Sequence, residues 1–528
     1  ITMDEKTEDD LYQLGLIWGF LKYYHPKIAS GDLNWDYELF RIMPKIISSE
    51  NRMERDALFE RWIKDLGECE PGETESNDAE VKFEPDLEWI KSSGYAAGLV
   101  AELERVQNAR RDGEHYYISF VKNVGNPNFN EQAYEGMDYP DAGFRMLALY
   151  RYWNIIQYYF PYKNLIEEDW KGVLKEFIPK MNASGEELDY KLACLELIAR
   201  VHDTHANVWG NDDALNTYWG VRLAPVKISF IEGRAVVTEY YKEDLGKETG
   251  LKIGDVIGKV NDKAVSEIIK KQLKYTPASN YPTQLRDIAR RLLKTNDSII
   301  KIEYTREAEL QSTAIRAYNP DVLDIYGQEL EKDSCFKLID KEIAYLNNGT
   351  LKRDYIPALW EEIKNTKGLI IDIRNYPSDF PIYTLSAYLM KENKPFVKFT
   401  MGSTLSPGLF TFGNTLGAGE DNNKNYQGKV VILVNESTQS SAEFHAMAYR
   451  LHPNAMVIGS TTAGADGNMS WFTLPGAVNT GISGIGVYYP DGTETQRVGI
   501  VPDLVVTQTI EGVKQNRDIA VSYTHLRA

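Results

Sequence analysis

The sequence predicts a multidomain α+β protein, on three observations. The chain has 528 residues, more than one hydrophobic core usually organises. Its first third carries an internal repeat of helical pattern. Beyond it the pattern changes to short β-rich runs and then to alternating strands and helices. The expected units are 1–135 and 136–215 as two helical copies, 216–315 as a β domain and 316–515 as an α/β core. Residues 521–528 are expected to be a non-native tail, because Ser522-Tyr-Thr-His-Leu-Arg-Ala528 matches no readable element and resembles a translated adapter.

Composition narrows the function classes. Hydrophobic residues make up 43% and charged residues 26%, an ordinary globular balance. The net charge of −18 repels phosphate backbones and argues against nucleic acid as a partner. No apolar run approaches a membrane span; the longest, Val430–Val434, fits a buried strand. Cys69, Cys194 and Cys335 lie far apart without metal-ligand spacing and read as buried free thiols; neither a metal nor a cofactor is expected. The start, Ile1-Thr-Met-Asp-Glu5, has no basic or apolar leader, which fits a cytoplasmic chain or a trimmed signal peptide. Trimming is favoured, giving a periplasmic, cell-surface or secreted location.

The repeat is exact in spacing. Trp18, Pro26, Trp35 and Pro44 recur as Trp153, Pro161, Trp170 and Pro179, each 135 positions on. Each copy reads as a helix stopped at the proline, a loop, and a second helix carrying the next tryptophan. Aromatics at helical spacing are read as core. The copies diverge afterwards: the second runs through Leu192–Val201 into His202-Asp-Thr-His205, whereas the first has Asp65–Glu70 and no histidine there.

In the β region, Gly250-Leu-Lys-Ile-Gly-Asp-Val-Ile257 lies among strands Val226–Phe230, Ala235–Thr238 and Ile299–Tyr304, with a helix expected over 280–293. This arrangement resembles PDZ domains, which capture an extended chain, often a C-terminus, by strand addition. The resemblance implies substrate contact at Gly250 and Leu251.

The α/β region offers two buried strands, Gly368–Ile373 and Val430–Val434, each running into a polar loop. The second loop is Asn435-Glu-Ser-Thr-Gln-Ser440-Ser-Ala-Glu443, opening a helix. Standing alone, that is an N-cap with Glu443 completing a capping box. It is also a strand-to-helix turn, where converging backbone N–H groups suit an oxyanion.

Four features occur in order: a helix ending in Asp-x-His, a PDZ-like insert, a strand ending Asp372-x-Arg-Asn-x-Pro377, and Ser-x-Ala-Glu opening a helix. This order resembles the tail-specific (C-terminal-processing) proteases and the core of tricorn protease. The resemblance implies a crotonase-like ββα spiral in the core, a serine peptidase with Ser440 as nucleophile, and a polypeptide substrate engaged through its C-terminus. Oxyanion contacts would come from the N–H groups of Ser441 and Ser378. Tail-specific proteases use a lysine in the segment matching Thr462–Gly467, but Ala465 stands at that position and no lysine lies between Ser440 and Lys514. The tricorn branch uses a histidine, which His205 matches, oriented by a hydroxyl (Thr204) and a distant glutamate. Glu494 is the expected acid, with Gln496 at the matching position as the alternative. Competing readings are a non-catalytic peptide-binding protein on the same scaffold and an esterase or amidase for small molecules.

Overall fold

The computed structural model describes residues 1–72, 79–134, 136–325, 335–339 and 341–525. The two copies repeat atom for atom at their key contacts. Helix α1 (Glu5–Tyr24) stops at His25, and α2 (Trp35–Ile47) follows. In the second copy α3 (Ala142–Tyr159) stops at Phe160, and α4 (Trp170–Ala183) follows. His25 (φ −84°, ψ 119°) and Phe160 (φ −86°, ψ 114°) have the same extended conformation, which the following proline imposes. In each copy two indoles exchange hydrogen bonds. Trp18 Nε1 donates to Trp35 O (3.1 Å) and Trp35 Nε1 to Trp18 O (3.0 Å). Trp153 Nε1 donates to Trp170 O (2.6 Å) and Trp170 Nε1 to Trp153 O (3.1 Å).

The copies share one core, so 1–135 and 136–215 are two halves of a single body. Helices α1 and α3 touch where Gly19 faces Asn154; a Cβ at Gly19 would lie 1.9 Å from the Asn154 side chain. A buried charge network ties the halves: Lys22 to Glu131 (2.6 Å), Glu131 to Arg151 (2.9 Å) and Arg151 to Asp36 (2.9 Å). Arg151 also donates to Thr473 O (2.7 Å), reaching into the C-terminal region. From α4 the chain runs through α5 (Glu187–Ala199) to Asp203.

The middle region is a β-sheet whose strands β1 (Val226–Ile231), β2 (Arg234–Tyr240), β3 (Val256–Val260), β4 (Ile299–Arg306) and β5 (Glu309–Arg316) lie in the order β5-β4-β3-β2-β1. Helix α6 (Tyr281–Arg291) packs beside the edge strand β1. The expected helix and strands are therefore present.

The C-terminal region contains a second sheet of β6 (Phe336–Ile339), β7 (Ile343–Asn347), β8 (Gly368–Asp372), β11 (Lys429–Val434), β12 (Ala455–Gly459) and β16 (Leu504–Val505), in that order. All its pairs after β6–β7 are parallel. Strands β9 (Lys394–Gly402), β10 (Phe410–Ala418) and β15 (Val487–Tyr488) join Val81–Phe83 of the helical body in another sheet. The hairpin β13 (Met469–Leu474) and β14 (Val478–Ser483) contributes Phe472, Leu474, Val478 and Ile482 to the helical core. Helices α7 (Ser441–Tyr449), α8 (Ile510–Lys514) and α9 (Ile519–His525) complete the chain. Helix α9 includes 521–525 of the expected non-native tail, and Ala520, just before that tail, is buried against the parallel sheet. A single short helix shows no periodicity to read; 526–528 lie outside the described residues.

Candidate active site

Ser440 sits between β11 and α7 with φ 55° and ψ −118°, a backbone region that side chains with a Cβ rarely occupy. Such strain persists only when neighbours over-determine it, and here they do. The Ser440 N–H donates to Ala465 O (2.9 Å) and to Glu443 Oε2 (3.1 Å). Thr438 Oγ1 donates to Ile373 O (2.8 Å), and Ala463 N donates to Thr438 O (2.9 Å). The expected capping box is present, with Glu443 doing more than capping. Its Oε1 accepts from Thr462 Oγ1 (2.6 Å) and Gly464 N (2.9 Å), and its Oε2 also accepts from Ala465 N (3.1 Å). Burial raises the Glu443 pKa against these donors. Glu443 is thus the buckle between the serine turn and the segment 462–465.

His205 is reached from the other side of the same segment. Val208 pairs antiparallel with Thr480, and Trp209 N donates to Asn479 O (2.8 Å). Continuing that register three residues brings His205 opposite Ser483. His205 Nδ1 lies 2.8 Å from Ser483 Oγ, which donates to Asp203 Oδ1 (2.9 Å). The serine hydroxyl has one proton, and the carboxylate takes it. Nδ1 therefore carries the ring proton and donates to Ser483, leaving Nε2 with its lone pair. Asp203 is fully buried and accepts further bonds from Ser483 N (2.7 Å), Gln496 Nε2 (3.0 Å) and His205 N (3.2 Å). Burial lowers the His205 pKa, and Asp203 opposes the shift.

The remaining expected residues fall as follows. Glu494 does not orient His205; it bonds Asn164 Nδ2 (3.1 Å) and pairs with Lys82 (3.4 Å), because its side chain leaves the segment away from the buried Gln496. Gln496 reaches Asp203, not the imidazole. Thr204 does not hold His205 either: its hydroxyl bonds Ala463 O (2.9 Å) and Ser279 (3.0 Å), docking the turn on the segment 462–465. Ser441 opens α7, half-buried; its amide bonds no described residue. Ser378 is exposed, and its carbonyl accepts from Lys352 Nζ (3.0 Å). Neither Gly250, which is exposed, nor Leu251 lines the cleft described below. Leu251 is buried in the middle core and Gly250 O accepts from Arg306 (2.7 Å), so this turn closes the domain. Sequence reasoning singled out neither Asp203 nor Ser483, the two residues that form the hydrogen-bonded chain from His205 Nδ1. Asp203 was visible two residues before His205, whereas Ser483 has no motif.

A cleft of about 1770 Å³ opens between β1 with α6 and the carboxyl ends of β8, β11 and β12. Ser437, three residues before Ser440, lines it.

Residues 342–506 match the profile of Peptidase family S41. A carboxy-terminal-processing protease of Bartonella bacilliformis is 27% identical over 164 residues, 30% of this chain and 36% of that protein's length. The match therefore spans about a third of the relative. Among solved structures, mature CPAF complexed with lactacystin superposes with a TM-score of 0.57 at 12% identity, covering 73% of this chain and 97% of that one. Mature CPAF itself gives 0.56, also at 12% identity, over 73% and 96%. These likenesses speak to the fold, and the profile match identifies residues 342–506 as a Peptidase family S41 domain.

Proposed function

We propose that the chain is a serine endopeptidase in which Ser440 forms the acyl-enzyme and His205 is the general base. The observation that carries this reading is the segment 462–465. Its backbone accepts hydrogen bonds from the Ser440 amide at Ala465 and the Thr204 hydroxyl at Ala463, so the serine turn and the histidine turn converge on it.

On attack, Ser440 Oγ bonds to the carbonyl carbon as its proton passes to His205 Nε2. Collapse of the tetrahedral intermediate breaks the C–N bond and returns that proton to the leaving amine. A water then repeats the sequence on the ester. The transient imidazolium is stabilised by Asp203 through the Ser483 hydroxyl, with Gln496 holding the carboxylate. The Ser441 N–H, at the positive end of α7, is the first oxyanion donor and the Ser378 N–H the second. With a histidine as base, the chain is taken as a tricorn-like peptidase. The middle region is taken as a PDZ-like domain presenting a substrate chain by strand addition on β1, and the parallel-sheet region as a crotonase-like spiral. A periplasmic or cell-surface location fits a peptidase of this kind.

The test is turnover of an unstructured polypeptide with parallel labelling by a fluorophosphonate. Wild type should cut and label, and Ser440→Ala should do neither. Turnover retained in Ser440→Ala overturns the assignment. A wild type that binds peptide but neither cuts nor labels would instead establish a binding module.

A further inference from the structure

We propose that the cleft beside the Ser440 loop selects an extended polypeptide segment bearing acidic side chains, through Lys294, Lys514 and Arg517. What happens to that segment afterwards rests on the peptidase reading above.

The cleft has the form of a strand-addition site. Strand β1 is the edge of its sheet, paired among the described strands with β2 alone. Its outer N–H and C=O groups are available to a further strand. Ile228, Phe230 and Leu285 supply an apolar floor on which alternate side chains of an added strand can rest. The groove also leads to the chemistry. Arg286 on α6 donates to Glu436 O (2.8 Å) and to Gln439 Oε1 (3.0 Å), fastening the groove wall to the residues just before Ser440.

The charge of the cleft runs against that of the protein. At −18 overall, the chain would be expected to line a groove with acids. Four of the acids that do line it are already paired: Glu232 with Arg234 (3.5 Å), Glu239 with Lys227 (3.0 Å), Glu243 with Lys247 (2.7 Å) and Asp518 with Arg374 (2.7 Å). Lys294, Lys514 and Arg517 line the same cleft and have no carboxylate within ion-pair distance among the described residues. Against them stands Glu436, whose carboxylate accepts from Ser460 Oγ (3.4 Å). Lys294 is half-buried beside Arg291; both burial and that neighbour depress its pKa, and an arriving carboxylate would relieve both costs. At physiological salt charges are screened beyond about 8 Å, so an occupant senses these three cations rather than the net charge of the whole protein.

The test uses Ser440→Ala, which removes cutting, and two fluorescein-labelled peptides with identical apolar residues. One carries Asp and Glu at alternate positions, the other Asn and Gln. Anisotropy should show the acidic peptide bound about 10-fold tighter at low salt, with the difference shrinking as salt rises. Adding Lys294→Gln, Lys514→Gln and Arg517→Gln should abolish the difference and leave the neutral peptide's affinity unchanged. The exposed pair Lys514→Gln/Arg517→Gln, which leaves the half-buried Lys294 intact, should remove part of it. Equal binding of the two peptides, or a preference that survives the triple substitution, overturns the proposal. The two readings fail separately. Wild type that cuts both peptides without preference keeps the peptidase and loses the acidic selection. Preferential binding without any cutting does the reverse.

Discussion

The two helical copies are alike in what holds them and different in what they carry. Both exchange indole hydrogen bonds between paired tryptophans, and both end their first helix on an extended residue before a proline. At that helix end the first copy has His25, buried, accepting from Lys27 N (3.2 Å) and 3.6 Å from Cys69 Sγ. The second has Phe160 there and delivers its histidine later, at His205, against a hairpin from the other end of the chain. Duplication thus supplied two equivalent frames, and only the one touching β14 acquired an acid, a hydroxyl and an imidazole in series. A frame becomes a site through what it abuts.

The largest effect that could break this contrast is on activity. Asp203→Asn removes the charge facing the imidazolium and should lower kcat/KM by about 10²–10⁴-fold. His25→Phe, which gives the first copy the residue of the second, should leave kcat/KM within about two-fold, since among the described residues no acid pairs with that ring. A comparable loss in both variants would erase the distinction. The pH profile sharpens it. His205 must be neutral to accept a proton and its pKa lies below the usual 6.5, so kcat/KM should rise with pH through a limb below 6.5 and then level off. Asp203 raises that pKa, so Asp203→Asn should move the limb to lower pH; an upward move would contradict the assignment.

Next in size are stability effects shared by the two halves. Glu131→Gln leaves buried Lys22 and Arg151 short of a counter-charge and should cost about 3–5 kcal/mol in urea unfolding. A single transition should remain, because the copies share one core. Two separated transitions would mean that they fold independently. Trp35→Phe and Trp170→Phe each remove one indole donor and should each cost about 1–3 kcal/mol. Unequal losses would show that the frames are no longer equivalent. The smallest effect is expected of Glu494→Gln, with kcat/KM within about two-fold, since its carboxylate faces Lys82 and Asn164.

Much of the scaffold was legible because local pattern dictates it. Tryptophans and prolines at a fixed offset announced the duplicated helices, and the apolar runs at 368–373 and 430–434 announced buried strands, which the structure pairs side by side in parallel. The turn at Ser440 was legible as both a cap and a nucleophile position, and the structure shows Glu443 bonded as a cap residue should be. The orienting groups were not legible. Ser483 meets His205 from 278 residues away, through a strand register that no motif encodes. Glu494 looked equivalent to Gln496 by strand periodicity, but the short stretch between Tyr488 and Gly499 forms a single isolated bridge, and the neighbours Thr495 and Gln496 both turn inward while Glu494 stays half-buried. Gly250 and Leu251 carried a real turn signal, and the turn carries Leu251 into the domain's own core. Glycine at 250 meets a backbone need, a positive φ of 74°.

The central claim is that Ser440 is activated by His205. It is tested most directly by fluorophosphonate labelling, followed by intact mass and peptide mapping across pH. The account predicts a single adduct on Ser440 whose rate of formation rises through a limb below pH 6.5 and collapses in His205→Ala. No adduct, an adduct on another residue, or labelling of His205→Ala at the wild-type rate would contradict it.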